Sequence, residues 1–374
     1  MKKVKLKEIL EVKRGTSLSG KYYSDTGDKI RLTLGNFDYP GGGFKENTAK
    51  ADIYFTGEVK PQFILKKGDI ITPLTEQVSG LLGETAIIPE DNKYIQSGDI
   101  GLVIPNPKEL DSRFAYYLIS SSIIKKQLDV SSQQTKIRHT SPEKIMDCIA
   151  WIPELKIQRK IAKFLDLINE KIKNNSKINN NLEELAYVIF LQNFIQKIPN
   201  GTIGDIIREN EKSKIKVSDA KSIKGKYPFF TSGESILEWD DYLVEGRNLF
   251  FNTGGNADVK YYVGKAMYST DTWCVTTNGI FSDYLYLYFK SIKGELNRKF
   301  FHGSGLKHLQ KDLLKQEKIY IPDKKKISQF NVFVKPMFDT ISANKIENQR
   351  LDSLKEFILP LLMNGQINVD DIEI

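Results

Sequence analysis

The chain contains an internal repeat, which appears when its sequence is compared with itself at a shift of 169 residues. The match runs without a gap from about Tyr117 to Ile189. So long a shared register predicts two copies of one unit in tandem. A pseudo-two-fold molecule suggests a pseudo-two-fold partner, and duplex DNA is the commonest one. The coinciding positions are aromatic, proline, asparagine and apolar ones, among them Tyr117 with Tyr286, Pro153 with Pro322, Phe164 with Phe333, Asn175 with Asn344, and Leu182 with Leu351.

The part of each copy before the proline is predicted to be an α+β head. In the first head, short β-rich runs alternate with Gly- and Asp-rich turns, and strands are expected within Phe63–Pro73 and Leu82–Ile88. Phe114, Tyr117, Leu118 and Ile124 share one face of a helix expected over 110–128. The second head aligns less cleanly, because the shift grows to 178 where Leu65–Gly68 falls on Leu243–Gly246.

A long helix is predicted after each head, because apolar residues recur there at alternating steps of four and three. A helix of about 35–40 residues would be roughly 55–60 Å long. Neither helix buries its stripe alone, so we expect the two to pair as an antiparallel coiled coil, with Asn175 and Asn344 near its middle. The first stripe is Ile157, Ile161, Phe164, Ile168, Ile178, Leu182, Leu185 and Ile189, and the second is Phe330, Phe333, Met337, Leu351, Leu354, Ile358 and Leu361.

Polar residues interrupt both apolar stripes near the middle of the predicted helix pair, and two interpretations of them remain open. Lys171 and Asn175 interrupt the first stripe, and Thr340, Asn344 and Glu347 interrupt the second. Buried polar residues in a seam can set the register of pairing at some cost in stability. Alternatively, the middle of the pair opens toward solvent or a partner.

The predicted fold class is therefore α+β: a tandem pseudo-two-fold repeat of an α+β head followed by a long helix, with the two helices pairing as an antiparallel coiled coil. The expected boundaries are 1–152 for the first head, 153–198 for the central helix, 199–321 for the second head and 322–374 for the C-terminal helix.

Composition restricts the functional class. The net charge is +8, which fits phosphate binding but does not prove it. Cys148 and Cys274 are too few for a disulfide framework and lie in apolar strings, so both are expected to be buried thiols. The first residues lack an apolar signal segment, and no apolar run approaches the length of a membrane span, which predicts a soluble, cytoplasmic protein without a membrane role.

The sequence offers no positive sign of catalysis. It has no phosphate-binding G-x-x-x-x-G-K-[ST] loop, no H-E-x-x-H or G-x-S-x-G motif, and no metal-ligand spacing among its three histidines and two cysteines. We therefore expect a protein that recognises rather than transforms its partner.

Two groups of residues are candidates for DNA contact. The first is the polar loop before each long helix, which we call the reading loop. Its amides suit adenine, its arginine suits guanine, and its lysines and hydroxyls suit phosphate. An ordinary polar loop is the alternative. The residues are Gln133, Gln134, Thr135, Lys136, Arg138 and His139 in the first head, and Ser304, Lys307 and His308 in the second. The second group interleaves cations, aromatics and amides near turns: Arg14, Thr16, Ser17, Lys21 and Tyr22, with Lys224, Thr231, Ser232, Asn252 and Asn256.

The order head, helix, head, helix resembles the specificity subunit of Type I restriction-modification enzymes. The similarity covers essentially the whole chain. It rests on stretches such as Leu65–Ile71, Ile152–Ala162, Lys226–Ser232 and Leu351–Lys355. The second junction, Ile321–Ile327, lacks the Gln-Arg-Lys-Ile sequence of the first, which weakens the expectation of partner docking on the second helix.

The resemblance implies a non-catalytic subunit that targets double-stranded DNA. Each head would read one half of a bipartite, asymmetric site, and the helices would fix the spacer. Two methyltransferase subunits and two motor-nuclease subunits would bind it. The chain itself would hold no cofactor, since S-adenosylmethionine, ATP and magnesium would belong to those partners.

Two other functions stay open. The chain could be a self-contained nuclease or methyltransferase with an unrecognised active site, which an activity assay on the isolated chain would reveal. It could also be a coiled-coil adaptor for proteins, which would show no salt-dependent DNA binding.

Overall fold

The computed structural model describes residues 1–38, 42–46, 52–76, 80–131, 138–221, 223, 225–233, 235–303 and 305–369. The chain divides into two compact units. Unit 1 comprises Met1–Glu170 and Arg350–Ile374, and unit 2 comprises Lys171–Gln349. Both long helices pass through the division, so each unit contains one head and a part of both helices. Among the described residues, no helix combines the length and apolar character that a membrane span requires.

The helices are α1 (Ser112–Ile119), α2 (Ser122–Ser131), α3 (Pro142–Met146), α4 (Leu155–Phe194), α5 (Val217–Ala220), α6 (Ser282–Ser291), α7 (Lys293–Phe300), α8 (Lys311–Lys315) and α9 (Lys324–Met363). The strands of unit 1 are β1 (Lys2–Lys5), β2 (Leu10–Arg14), β3 (Tyr23–Ser24), β4 (Ile30–Arg31), β5 (Tyr54–Phe55), β6 (Ile70–Pro73), β7 (Thr75–Glu76), β8 (Ala86–Ile87), β9 (Tyr94–Ile95), β10 (Ile100–Pro105), β11 (Arg138–His139) and β12 (Ile149–Ile152). Those of unit 2 are β13 (Gly201–Thr202), β14 (Ile207–Glu209), β15 (Tyr227–Phe230), β16 (Ile236–Trp239), β17 (Arg247–Asn252), β18 (Val259–Val263), β19 (Met267–Tyr268), β20 (Thr272–Thr277), β21 (Phe301–His302), β22 (His308–Leu309) and β23 (Lys318–Ile319).

The two heads share a strand order, which confirms the tandem repeat. The main sheet of unit 1 has the order β2-β10-β6-β8, and that of unit 2 has the order β14-β20-β17-β18. A two-stranded ribbon, β1-β12 or β13-β23, joins the start of each head to the segment before its long helix. A smaller second sheet has the order β3-β5-β4-β9 in unit 1 and β16-β15-β19 in unit 2.

The repeat also preserves the turn that leads into the central strand of each main sheet. Gly68 precedes β6 with φ +91°, and Gly246 precedes β17 with φ +90°. Glycine is the residue that adopts this left-handed conformation without steric cost. The match of Leu65–Gly68 with Leu243–Gly246 therefore reflects a shared backbone requirement.

A recurring tyrosine attaches each head to a long helix. In unit 1 the Tyr117 hydroxyl donates to Asp166 Oδ1 at 2.6 Å. In unit 2 the Tyr286 hydroxyl donates to Glu183 Oε1 at 2.7 Å. Both acceptors lie on α4. Hydrogen bonds to a charged acceptor are stronger than neutral ones, so this pair explains why the tyrosine recurs in the repeat.

Within unit 2 the two long helices run antiparallel. Asn175 Nδ2 donates to Asn348 Oδ1 at 2.8 Å, and Asn344 Nδ2 donates to Asn179 Oδ1 at 2.9 Å, so residue numbers rise along α4 as they fall along α9. Asn175 also donates to Glu347. Both Asn175 and Asn179 are buried. Because these asparagines are buried and hydrogen-bonded across the helix pair, they favour the interpretation that the polar residues set the register of pairing. They do not favour the alternative, in which the middle of the pair opens toward solvent or a partner.

The predicted heptad stripes are wrong at several positions. Ile178, Leu185, Phe333 and Leu354 are exposed. The buried stripe of α4 in unit 2 instead passes through Asn175, Asn179, Ala186, Phe190 and Phe194. The helix packs on its head as well as on its partner helix: the rings of Phe190 and Phe194 lie 5.5 Å and 5.1 Å from that of Tyr284 on α6. A stripe predicted only from the pairing of the two helices does not include the residues that contact the head.

The regular elements of the first head are shorter than expected. Of the segment Phe63–Pro73 only β6 is a strand, and of Leu82–Ile88 only β8 is one. The helix expected over 110–128 is two helices, α1 and α2, separated at Ser120 and Ser121. Ser121 ends the first and starts the second, since its hydroxyl donates to Leu118 O at 2.6 Å while its carbonyl accepts from Lys125 N. Both cysteines are buried free thiols, as predicted.

Candidate nucleic-acid interface

A cavity of about 350 Å³ lies in unit 1 beside the loop that follows β2. Three of the predicted contact residues, Arg14, Thr16 and Ser17, line it. The loop is held close to residues 96–98: Thr16 N donates to Gln96 O at 3.2 Å, and a Cβ on Gly15 would lie 2.2 Å from Ser97 O. Only glycine fits so close an approach, so this wall of the cavity is fixed by the backbone.

Arg14 links the two predicted groups of the first head. Its guanidinium donates to Gly98 O at 2.9 Å and to Thr140 O at 3.4 Å. Thr140 directly follows β11. The structure therefore brings the loop after β2 next to the end of the segment that contains the predicted reading loop. Gln133, Gln134, Thr135 and Lys136 of that loop lie outside the described residues.

Arg138 and His139 form β11, which pairs with β7. The Arg138 guanidinium lies 3.4 Å from Glu76 Oε1 and 3.2 Å from Asp129 Oδ1. The Glu76 carboxylate is buried and accepts from Gly80 N and Leu82 N as well. This network gives Arg138 a structural role at the end of the loop. The His139 side chain is exposed.

Cations and aromatic rings interleave near the cavity, as the sequence predicts. Lys21 Nζ lies 4.6 Å from the centroid of the Tyr22 ring, and both residues are exposed. Arg31 of β4 lies 5.2 Å from the Tyr23 ring and also lines the cavity. Sequence reasoning missed Arg31, because a single arginine in a short strand carries no pattern; only the fold brings it next to Arg14.

In unit 2, three predicted contact residues are built into the fold. Thr231 is buried, and its hydroxyl donates to Ser235 O at 2.7 Å. Ser232 Oγ donates to Asp271 O and accepts from Thr253 N. Asn252 is buried, with its amide donating to Asn256 O and accepting from Lys260 Nζ. This placement does not support direct DNA contact by these side chains.

The other predicted residues of unit 2 that the structure describes form an exposed cluster. The hairpin β21-β22 lies against the loop 252–256, since Gly255 N donates to Lys307 O and Leu309 N to Thr253 O, each at 3.0 Å. Asn256, Lys307 and His308 are exposed there. A cavity of about 480 Å³ beside them is lined by Lys307 together with His302 and Arg298, neither of which was among the predicted contact residues. Lys224 and Ser304 lie outside the described residues.

The long helices expose a duplicated apolar pair. On α4 in unit 2, Leu185 and Val188 are 48% and 47% exposed. On α9 in unit 1, Leu354 and Phe357 are 41% and 68% exposed. The second pair follows the first at the shift of 169 residues that defines the repeat. Scattered exposed apolar residues are ordinary, but their duplication in both copies marks a surface that the repeat retains.

The fold places the chain in the class of tandem-repeat α+β proteins with paired long helices. A model of the Type I restriction modification DNA specificity domain matches residues 1–184 and 197–356, one copy in each half of the repeat. The chain belongs to this family.

Two relatives come from Methanocaldococcus jannaschii. The Type I restriction enzyme MjaVIII specificity subunit is 25% identical over 182 residues, which cover 48% of this chain and 42% of the relative. The MjaIX specificity subunit is 19% identical over 303 residues, 70% of each chain. The chain thus spans less than half the length of the first relative. The fold is similar to the crystal structure of a Type I restriction-modification S subunit from M. genitalium, with a TM-score of 0.56, 16% identity, and coverage of 97% and 96%.

Proposed function

We propose that this chain is the non-catalytic subunit that gives a Type I restriction-modification complex its DNA sequence specificity. Each unit reads one half of a bipartite, asymmetric site on duplex DNA. Two methyltransferase subunits and two motor-nuclease subunits dock on it, and S-adenosylmethionine, ATP and magnesium act in those partners. Such a complex works on DNA in the cytoplasm.

One observation carries this proposal: the specificity-domain model matches both copies, while the exposed residues near the predicted contact regions differ between them. Unit 1 presents Arg14, Lys21 and Tyr22, and unit 2 presents Asn256, Lys307 and His308. Two units with the same fold but different exposed side chains suit two different half-sites. Base edges are distinguished by the hydrogen-bond donors and acceptors that face them.

The proposal is tested by co-expressing the chain with its methyltransferase subunit and mapping methylated bases across a genome. We expect one asymmetric sequence with two short specified parts and a gap of fixed length. Methylation at a continuous or palindromic site would contradict the two-unit assignment. Cleavage or methylation by the isolated chain would instead favour a self-contained enzyme.

Lys307 is expected to contact the DNA backbone, because it is exposed on the hairpin β21-β22 of unit 2, beside the loop that contains Asn256. Lys307→Ala should weaken binding to all sequences and reduce the slope of log affinity against log salt by about 0.9. The measurement is a salt series with the assembled methyltransferase complex. Lys318→Ala, which removes an exposed lysine from β23 in the same unit, is the matched control and should leave the slope unchanged. An equal slope for the Lys307 variant and the parent would place Lys307 outside the interface.

The duplicated apolar pairs are expected to dock two copies of one partner, the methyltransferase subunit. Leu354→Asp with Phe357→Asp should remove one copy, and Leu185→Asp with Val188→Asp should remove the other, because a charge in an apolar contact must be desolvated without a partner. Native mass spectrometry of the co-expressed complex should show two methyltransferase subunits per parent chain and one per variant. These side chains are exposed, so the fold should persist. Full occupancy in both variants would show that the docking surface lies elsewhere.

A further inference from the structure

Two guanidinium groups of the unit 1 cavity form no ion pair with a carboxylate among the described residues. Among the described residues, Arg14 donates to the carbonyl oxygens of Gly98 and Thr140. Arg31 stacks over the Tyr23 ring, and its buried Nε has no hydrogen-bond partner in the described part of the chain. Asp99 also lines the cavity, and the Glu143 carboxylate interacts electrostatically with Arg14. Among the described residues, neither acidic side chain forms an ion pair with Arg14 or Arg31, so the cavity keeps two guanidinium groups and an unused donor, Arg31 Nε.

The remaining walls suit a tetrahedral oxyanion. Thr16 and Ser17, two residues that carry hydroxyl groups, border the cavity. The volume of about 350 Å³ falls at the lower end of the range of roughly 300–1,000 Å³ that is typical of ligand pockets. Arginine presents a planar fork of donors that matches phosphate oxygens in pairs, whereas lysine acts as a point charge.

Unit 2 has the opposite charge at the equivalent position. Arg14 is the fifth residue after Ile9, which caps the 3-10 turn Leu6–Glu8. In unit 2 the matching turn is Ile203–Asp205, capped by Ile206, and the fifth residue after that cap is Glu211, which is exposed. The repeat thus places a carboxylate in unit 2 where unit 1 has a guanidinium.

We propose that the cavity between the loop after β2 and residues 97–99 is a phosphodiester-binding cradle specific to unit 1, in which Arg31 acts with Arg14. This inference rests on the proposed DNA-recognition function. A phosphodiester is favoured over a free anion because Arg14 joins the cavity to Thr140, at the end of the segment that contains the predicted reading loop. A cradle there fixes the backbone of the half-site while the loop meets the bases.

The test uses the assembled complex with its methyltransferase subunit and a cognate duplex over a salt series. Arg31→Ala and Arg14→Ala should each weaken binding by about tenfold or more and lower the salt slope by about 0.9, as expected for one lost phosphate contact. Arg31→Lys should keep the slope, because the charge remains, but should still weaken binding, because the fork is lost. Lys108→Ala, an exposed lysine of unit 1 that does not line the cavity, should change neither quantity.

Further outcomes separate the cradle from the function and from a free-anion site. If the parent complex binds its cognate duplex and both alanine variants keep the parental slope, the cradle is wrong and the DNA-recognition function stands. If the parent complex shows no sequence preference, the function itself fails. Inorganic phosphate at matched ionic strength is the second probe. If it raises the thermal midpoint of the parent chain but not of Arg31→Ala, while DNA affinity is equal in both, the cavity binds small anions and the phosphodiester assignment is overturned.

Discussion

Replacing Arg247 by methionine is expected to destabilise unit 2 by about 3–5 kcal/mol, the cost of leaving a buried charge without its partner. Arg247 Nη1 donates to Asp283 Oδ1 at 2.5 Å, and its other terminal nitrogen contacts Asp339 on α9. The Arg247 and Asp283 side chains are 11% and 4% exposed. The Tyr261 hydroxyl donates to Asp283 as well, at 2.6 Å. One guanidinium thus joins the central strand β17, the helix α6 and the long helix of this unit.

Thermal unfolding of the variant measures the effect, and a loss of this size should lower the midpoint of unit 2 by roughly 10 °C. Arg208→Met, which removes an exposed arginine from β14, is the matched control and should have little effect. The double variant Arg247→Met with Asp283→Asn should recover much of the loss, because removing both charges leaves none unpaired. A double variant as unstable as the single one would show that packing around Arg247, and not the charge pair, carries the stability.

The pH dependence of the single variant has a definite sign. Burial already raises the pKa of Asp283 above its ordinary value of 3.8. Without Arg247 that pKa rises further, so the folded state binds a proton at pH values where the unfolded state has released it. The stability deficit should therefore be largest near neutral pH and should shrink as pH falls toward the ordinary aspartate range, where Asp283 is neutral in both states.

The repeat and the two long helices could be predicted from the sequence, because helical periodicity and a fixed shift are properties of residue order alone. The lengths of the strands in the first head could not. Leu81 and Leu82 are buried like strand residues, yet the backbone turns there, with Glu84 N bonded to Leu81 O and Gly83 at φ +83°. A run of apolar residues indicates that the segment is buried. It does not indicate whether the backbone hydrogen bonds of a strand continue along the segment.

The same limit applies to the candidate site. The hydroxyls of Thr231 and Ser232 suit phosphate as well as they suit backbone carbonyls, and in this fold they bond to carbonyls of their own unit. Arg31 shows the converse case, since it became a candidate only when the fold placed it beside Arg14 and Tyr23. Residue type predicts which groups could bind DNA, and tertiary placement decides which of them remain available.

Shortening both long helices by seven residues is expected to change the spacer of the recognised site without changing its two halves. Removing residues 172–178 from α4 and 345–351 from α9 keeps the antiparallel register, because the Asn179–Asn344 hydrogen bond of 2.9 Å remains while the partners of Asn175 are removed together with it. Seven residues are close to two helical turns, so the buried stripes continue to face each other.

The deletion shortens each helix by roughly 10 Å at 1.5 Å per residue. At about 3.4 Å per base pair, the gap in the methylated sequence should shorten by about three base pairs. Insertion of seven residues at the same two points is the matched control and should lengthen the gap by the same amount. Genome-wide methylation mapping after co-expression with the methyltransferase subunit gives both results. If the half-sites changed while the gap stayed constant, the helices would not set the spacing, and the gap would have to be determined by the heads themselves.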